Sequence, residues 1–259
     1  MTTRTPNFMI IGAMKAGTTT LHEQLARQEG VFMSTPKEPN FFSDDDQWEK
    51  GLEWYQSLFA DAGDALFIGE SSTHYTKLPT HPHTVARLKS TIPPPIKFIY
   101  VTRDPVERLI SHYIHEWTTG KITEPVEVAV EKYPELIAYS EYEKQVQPFR
   151  EAFGEDAVKV VRFEDMKRDP DVFFEEIKSF LNAPETWQWK HDLPAQNVSS
   201  VRLKKTPLLE FVQKSPTLKF LRRRLLSEKF RERLKSPYRM NERPDLGDAR
   251  EHLEKLFQS

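Results

Sequence analysis

Residues 8–25 read FMIIGAMKAGTTTLHEQL: a short apolar run, a glycine-containing loop and the start of a helically spaced stretch. Phe8 to Ile11 ends at Gly12 and reads as a buried strand feeding a loop. From Thr19 onward the pattern is helical, with Leu21 and Leu25 on one face. Strand, glycine loop and helix together form the setting of a phosphate loop, where backbone N–H groups and the positive end of the helix dipole meet an anion. A P-loop of the ATP type reads G-x-x-x-x-G-K-[ST]. Here Gly12 and Gly17 keep the glycine spacing, Thr18 fills the lysine position, and the lysine is Lys15, inside the loop. Thr18, Thr19 and Thr20 add hydroxyl donors at the first helical turn. In an ATPase the lysine reaches the β- and γ-phosphates, and the following Ser/Thr holds magnesium. A lysine moved into the loop sits instead beside the atom that links two groups, a place suited to stabilising a leaving group.

Outward from this loop, the same order of elements recurs. Residues 31–43 carry two prolines and no clear period, and are expected to form a loop. Trp48, Leu52, Tyr55 and Phe59 recur at helical steps and predict a helix with an aromatic core face. Leu66 to Ile68 reads as a strand ending in the polar turn Gly69-Glu70-Ser71-Ser72. A helical segment near Val85 and Leu88 stops at prolines 93–95. The run IKFIYVT (96–102) that follows is the strongest strand signal, and it ends at Arg103-Asp104-Pro105. Pro105 suits a first helical turn, and Leu109, Ile110, Tyr113, Ile114 and Trp117 mark an amphipathic helix. A helix around 140–153, a strand from Val158 to Phe163 and a helix from Pro170 to Leu181 complete the pattern. Alternating strands and helices predict an α/β fold with a central parallel sheet flanked by helices and ligands at the carboxyl ends of the strands. The polar turns at 12–20, 69–73 and 103–105 are therefore expected to converge. Residues 208–235 read as a basic amphipathic helix, most simply a solvated face.

A chain of 259 residues fits one domain spanning 1–259, with a core at about 7–182 and a basic helical part at about 190–259. The formal net charge of −2 gives no global attraction to nucleic acid or anionic membranes, so any anion site is local. The chain has no cysteine, which excludes thiolate metal sites and cysteine nucleophiles. The apolar run before Gly12 is too short for a secretory or membrane-spanning segment, and a cytoplasmic location is expected.

Two motifs in the right order resemble the sulfotransferases that use 3′-phosphoadenosine 5′-phosphosulfate (PAPS), which have a P-loop-like fold. IIGAMKAGTTTL resembles their 5′-phosphosulfate loop, which implies cofactor binding by Lys15, Ala16, Gly17, Thr18, Thr19 and Thr20. YVTRDPVERLISHY resembles their 3′-phosphate motif, with Arg103 and Ser111 in the phosphate-contacting positions. KEPNFFSDDDQWEKGLEWY is similar to a segment of heparan-sulfate-type and bacterial members and places Glu38 at the general-base position. GESSTHY is similar to a turn that often reads E-K-[TS]-P, with Ser71 in place of the lysine. The resemblance runs over roughly residues 7–182, with a weaker similarity at NVSSVR that implies a cofactor contact by Arg202.

The resemblance implies transfer of a sulfuryl group from PAPS to a hydroxyl or amine, with adenosine 3′,5′-bisphosphate (PAP) as product. Glu38 is then the base, Lys15 stabilises the leaving group, and no metal is required. Small-molecule, lipid or carbohydrate acceptors all fit, with no nucleic acid partner. The Arg103 and Ser111 layout also stands on its own: a guanidinium at a strand end forks onto a phosphate, and a ligand with anions at two separated points suits the spacing. His74, beside the GESS turn, and Ser71 are candidates for the acceptor side. His112 and His115 lack a third residue of metal-ligand spacing, so no metal site is expected. The rival readings are a magnesium-dependent P-loop kinase, with Asp104 imitating the metal-holding aspartate, and a non-catalytic nucleotide-binding protein.

Overall fold

The apolar runs become the strands of one sheet. The computed structural model describes residues 4–193, 244, 246 and 249–257. The strands are β1 (Phe8–Gly12), β2 (Val31–Met33), β3 (Phe67–Ser71), β4 (Lys97–Thr102) and β5 (Val158–Arg162). They pair in parallel in the order β2-β3-β1-β4-β5. β1 is central because its residues are uniformly apolar and buried, which suits a strand covered on both faces. Its neighbours are β3, in register Phe8↔Gly69 to Ile10↔Ser71, and β4, from Phe8↔Lys97 to Gly12↔Tyr100 with an irregularity after Ile10.

Helices fill the crossovers: α1 (Thr18–Ala26), α2 (Asp45–Trp48), α3 (Gly51–Ser57), α4 (Thr84–Thr91), α5 (Pro105–Thr119), α6 (Val126–Lys132), α7 (Glu135–Ala138), α8 (Tyr142–Phe153), α9 (Phe163–Arg168) and α10 (Pro170–Leu181). Local chemistry sets their ends. Asp104 accepts from the Glu107 amide at 2.9 Å and so starts α5 ahead of Pro105. Asp169 does the same for α10 through the Val172 amide at 3.1 Å, and Asn182, left-handed at φ 56°, closes it.

Three expectations need correction. Residues 31–33 are not loop but the edge strand β2, held by backbone pairing to β3, which a three-residue run cannot announce through periodicity. The helix expected over 48–59 is two helices, α2 and α3, broken at Gly51 with φ +81°. Phe163 does not end β5; it opens α9. The basic stretch at 208–235 lies outside the described residues.

Contacts group the chain into two compact units, Met1–Leu109 with Pro134–Gln196, and Ile110–Tyr133 with Asn197–Ser259. The first holds the sheet and one continuous core, from Phe8 and Ile10 through Phe41, Phe42 and Tyr55 to Phe98, Phe149 and Trp187. In the second, α6 packs against α11 (Ala249–Leu256), burying Val126, Ala129, Ala249 and Leu253. Tyr113 there donates to the Glu124 carbonyl at 2.9 Å.

Gly69 illustrates how tightly the sheet is packed: a Cβ on it would lie 2.3 Å from the Phe8 ring and 2.4 Å from the Met33 sulfur. Phe8 is buried and cannot withdraw. Gly69→Ala is expected to destabilise the protein by about 1–3 kcal/mol, read as a lower denaturant midpoint at unchanged m-value. An unchanged midpoint would show that the ring moves freely.

Candidate active site

The glycine loop leaves β1 and is fixed before it reaches α1. The Ala13 amide donates to the Val101 carbonyl of β4 at 2.7 Å, and the Ala16 amide donates to the Ala13 carbonyl at 3.1 Å. Gly17 is the residue before α1, with φ +87°, and no side chain caps the helix. Its first amides therefore point outward at the positive end of the dipole. A Cβ at Gly17 would meet the Phe163 ring at 2.5 Å, so only glycine fits between that ring and the loop. Ala16 and Thr18 are buried, while Lys15, Thr19 and Thr20 keep partial exposure.

Arg103, just past β4, is bound to that loop. Its Nη1 donates to the Lys15 carbonyl at 3.2 Å and its guanidinium lies 5.4 Å over the Phe163 ring. Its Nη2 also pairs with Glu107 at 3.2 Å, so an ion pair along α5 is present alongside the loop contact. Phe163, between Gly17 and Arg103, is a residue the sequence reading assigned only to a strand. Asp104 faces its own helix as a cap.

Glu38 arrives from the other side of β1. Its amide donates to the Ser71 carbonyl at the end of β3 at 2.8 Å, and Asn40 N donates to Ser72 Oγ at 3.1 Å. The next two residues, Phe41 and Phe42, are wholly buried. Phe41 stacks on Tyr55 at 4.6 Å, and Phe42 meets Tyr55 and Tyr75 edge-on at 4.9 and 5.7 Å. Two buried rings three and four residues after the glutamate hold its loop down by packing. The Glu38 carboxylate accepts from Lys37 Nζ at 2.6 Å and from Thr73 Oγ1 at 3.3 Å. Burial pushes its carboxyl up, but the Lys37 charge and hydrogen bond, aided by Lys77 and His74, hold it on balance below the usual carboxylate value. Glu38 is thus ionised at neutral pH.

Lys15 and Glu38, at φ 71° and 59°, are two of only four non-glycine residues with positive φ among the described residues; the other two are asparagines, which tolerate that region. Left-handed backbone at a lysine and a glutamate costs about 1–3 kcal/mol each, and such strain concentrates at functional sites.

Ser71 is fully buried and shares a hydrogen bond of 2.9 Å with His22 Nδ1 on α1. Burial, then the Lys37 charge, push His22 down to about 4 against the opposing pull of Glu38, so this imidazole is neutral. Beside it, Glu70 accepts from Tyr55 at 2.5 Å and from Ser72 at 2.6 Å. Burial drives the Glu70 carboxyl up, against the hydrogen bonds from Ser72 and Tyr55. His74 lies in the turn Thr73–Thr76, with Nδ1 2.8 Å from Asp44 Oδ1 and its ring stacked on His81.

The expected residues fall into three sets. Lys15, Ala16, Gly17, Thr18, Thr19, Thr20 and Arg103 gather at the ends of β1 and β4, with Glu38, Ser71 and His74 at the end of β3. Ser111 lies on α5, in the stretch belonging to the second compact unit. Arg202 lies outside the described residues. His112 is buried and pairs with Glu116 at 3.7 Å on its own helix.

Residues 5–244 match the model of the sulfotransferase domain. The chain belongs to that family. Its sulfotransferase relatives include the membrane-associated sulfotransferase kil1 of Dictyostelium discoideum, 33% identical over 131 residues, 49% of this chain and 26% of that protein. The human bifunctional heparan sulfate N-deacetylase/N-sulfotransferase 2 is 24% identical over 202 residues, 69% of this chain and 22% of that protein. The chain therefore spans about a quarter of the length of these relatives. Among solved structures, a sulfotransferase from Alicyclobacillus acidocaldarius superposes with a TM-score of 0.64 at 24% identity, covering 88% of this chain and 99% of that one. Retinol dehydratase in complex with androsterone and PAP superposes at 0.51 with 14% identity, covering 99% of this chain and 80% of that one. These likenesses establish the P-loop-like α/β fold of sulfotransferases. No helix among the described residues is long and apolar enough to cross a membrane.

A buried acid with a raised pKa lends its full stability below the unfolded-state value, near 4.3, and loses it as pH rises through the folded value. Glu70→Gln removes that loss. The melting temperature of the Gln variant relative to the parent is expected to climb as pH rises above about 4. A flat difference across that range would show that Glu70 carries no raised pKa.

Proposed function

We propose that the protein transfers the sulfuryl group of PAPS to a hydroxyl or amine of an acceptor, releasing PAP, with Glu38 as general base and Lys15 at the leaving group. The observation that carries this reading is the tether of Arg103 to the Lys15 carbonyl at 3.2 Å, beside a β1–β3 edge where Glu38 is bonded to Ser71. The residues proposed for anion binding, the leaving group and proton acceptance thereby share one edge of one sheet. Family membership and the PAP named for retinol dehydratase support the choice of donor.

The chain's residues fit such a donor. The uncapped start of α1, the amides of residues 17 and 18 and the hydroxyls of Thr18, Thr19 and Thr20 would hold its 5′ end. Arg103 would hold its 3′-phosphate, with Ser111 and Arg202 assigned there on the sequence resemblance alone. Bound PAPS would supply an activated sulfuryl group whose transfer resembles phosphoryl transfer, where positioning and charge stabilisation do most of the work. Lys15 would set its ammonium against the charge growing on the departing oxygen. Glu38, ionised and held by Lys37 and Thr73, would take the acceptor's proton. Nothing in this scheme needs a metal ion. The kinase reading gains no support, because Thr18 replaces the reaching lysine and Asp104 is engaged as a helix cap.

The acceptor class is carbohydrate, lipid or another small molecule; the heparan sulfate named for the human relative makes carbohydrate the first class to assay. Glu38→Gln and Lys15→Ala are each expected to lower kcat by about two to four orders of magnitude in a sulfate-transfer assay. Normal turnover by Glu38→Gln would remove the glutamate from its role. PAP without magnesium is expected to raise the melting temperature of the parent, and Arg103→Ala to weaken PAP binding by at least about tenfold in calorimetry. Tight PAP binding by that variant would sink the Arg103 assignment. Because Lys37 holds the Glu38 pKa down, Lys37→Met is expected to move the acidic limb of kcat/KM to higher pH. An unmoved limb would mean that another group sets it.

A further inference from the structure

A second constellation lies along the same loop and turn, and the proposed reaction does not use it. Asp44, His74 and His81 each offer one ligand atom, all within 4.8 Å of one another, and all three side chains are half-buried. Asp44 Oδ1 lies 2.8 Å from His74 Nδ1 and 3.8 Å from His81 Nδ1. The two imidazoles stack 4.9 Å apart with 18° between their planes, so both present an edge to the same carboxylate. The Ser43 carbonyl oxygen lies 3.2 Å from His81 Nδ1, and the Ser43 hydroxyl donates to Asp44 Oδ1 at 2.9 Å. The serine hydroxyl therefore helps fix the carboxylate oxygen that faces the two imidazoles.

Metal–ligand bonds of about 2.1 Å in a tetrahedral site set neighbouring ligand atoms about 3.4 Å apart. The distances from Asp44 Oδ1 of 2.8 Å to His74 Nδ1 and 3.8 Å to His81 Nδ1 straddle that value. Converting these contacts to coordination needs side-chain shifts of about half an ångström. The imidazole and carboxylate donors suit a borderline divalent ion such as zinc, and not magnesium or calcium, which favour all-oxygen shells.

We infer that Asp44, His74 and His81 form a structural site for a divalent transition-metal ion of the zinc type. The ion joins the loop of residues 38–44 to the turn of residues 73–81. Those two segments also hold Glu38, through its own loop and through Thr73. The ion is a clamp on the base-bearing loop; it takes no part in bond breaking, and His74 serves as its ligand and not as an acceptor contact. The three ligands are 30 and 7 residues apart along the chain, in loops without regular periodicity, so the sequence gives no ligand-spacing signal for them.

The test uses untagged, full-length protein freed of metal with a chelator and titrated with zinc chloride in a calorimeter, then with cobalt chloride followed by visible absorption. One equivalent is expected to bind, to raise the melting temperature, and to give cobalt a four- or five-coordinate spectrum. His74→Ala and His81→Ala are each expected to weaken binding at least about tenfold, with circular dichroism confirming that they fold. X-ray absorption of the zinc-loaded parent, expected to show two imidazole nitrogens, decides the matter where a variant fails to fold. Absence of binding, binding unchanged in both variants, or fewer than two imidazoles would overturn the inference. None of these readings depends on sulfuryl transfer, so failure here leaves the proposed reaction standing and the reverse also holds.

Discussion

The site depends on one constraint: three parallel strands, β3, β1 and β4, lie side by side and therefore end at one edge. Parallel pairing requires each chain reversal to pass through a crossover, so the turns that leave these strands all leave in the same direction. Hydrogen bonds across the ends fix how closely they approach. Ala13 N reaches Val101 O at 2.7 Å on one side of β1, and Ser72 N reaches Ile10 O at 3.0 Å on the other. A glycine loop, an arginine turn and a serine turn far apart in sequence are thereby neighbours before any ligand binds. β1 is where the order of strands reverses, which is where ligands settle in open α/β sheets.

Holding the working groups at that edge costs energy that packing supplies. Lys15 and Glu38 both adopt left-handed backbone, and the loop bearing Glu38 has no regular structure of its own. Burial of Phe41 and Phe42 within the aromatic cluster of Trp48, Trp54, Tyr55 and Tyr75 contributes on the order of 2 kcal/mol per ring, enough to offset the strain at Glu38. The cluster ends on a buried acid: Tyr55 donates to Glu70, which also takes the Ser72 hydroxyl. Core, strand end and loop are one connected unit, and the aromatic stripe read as simple core packing is also what sets the height of Glu38.

Much of this was legible because it is local. The run ending at Gly12, the helical spacing from Thr19, and the Arg103-Asp104-Pro105 turn after IKFIYVT each announce their element within a few residues. Strand alternation then implies the parallel sheet, and the sheet implies the meeting of the turns. What was not legible is non-local. β2 exists only by pairing with β3; Phe163 acquires its place between Gly17 and Arg103 from an approach across about 60 residues in one direction and about 150 in the other. The pairing of Glu70 with Tyr55 and the gathering of Asp44, His74 and His81 likewise arise from side chains meeting across loops. Residue types in a sequence carry no such distances.

The lowered pKa of Glu38 bears on the timing of the proposed reaction. A carboxylate stabilised by Lys37 is a weak base, far below the acidity of a sugar or alkyl hydroxyl, and early removal of that proton would be steeply uphill. In a loose transition state the bond to the departing oxygen is largely broken before the acceptor oxygen has bonded, and the hydroxyl turns strongly acidic only as the new bond forms. A weak, permanently ionised base placed within reach then suffices, because it receives the proton late. In the proposed reaction the greater demand falls on the departing side, where charge develops first, and there the ammonium of Lys15 and the amides at the start of α1 would act. That asymmetry, two sources of positive charge on one side and a single restrained carboxylate on the other, is what a late proton transfer calls for.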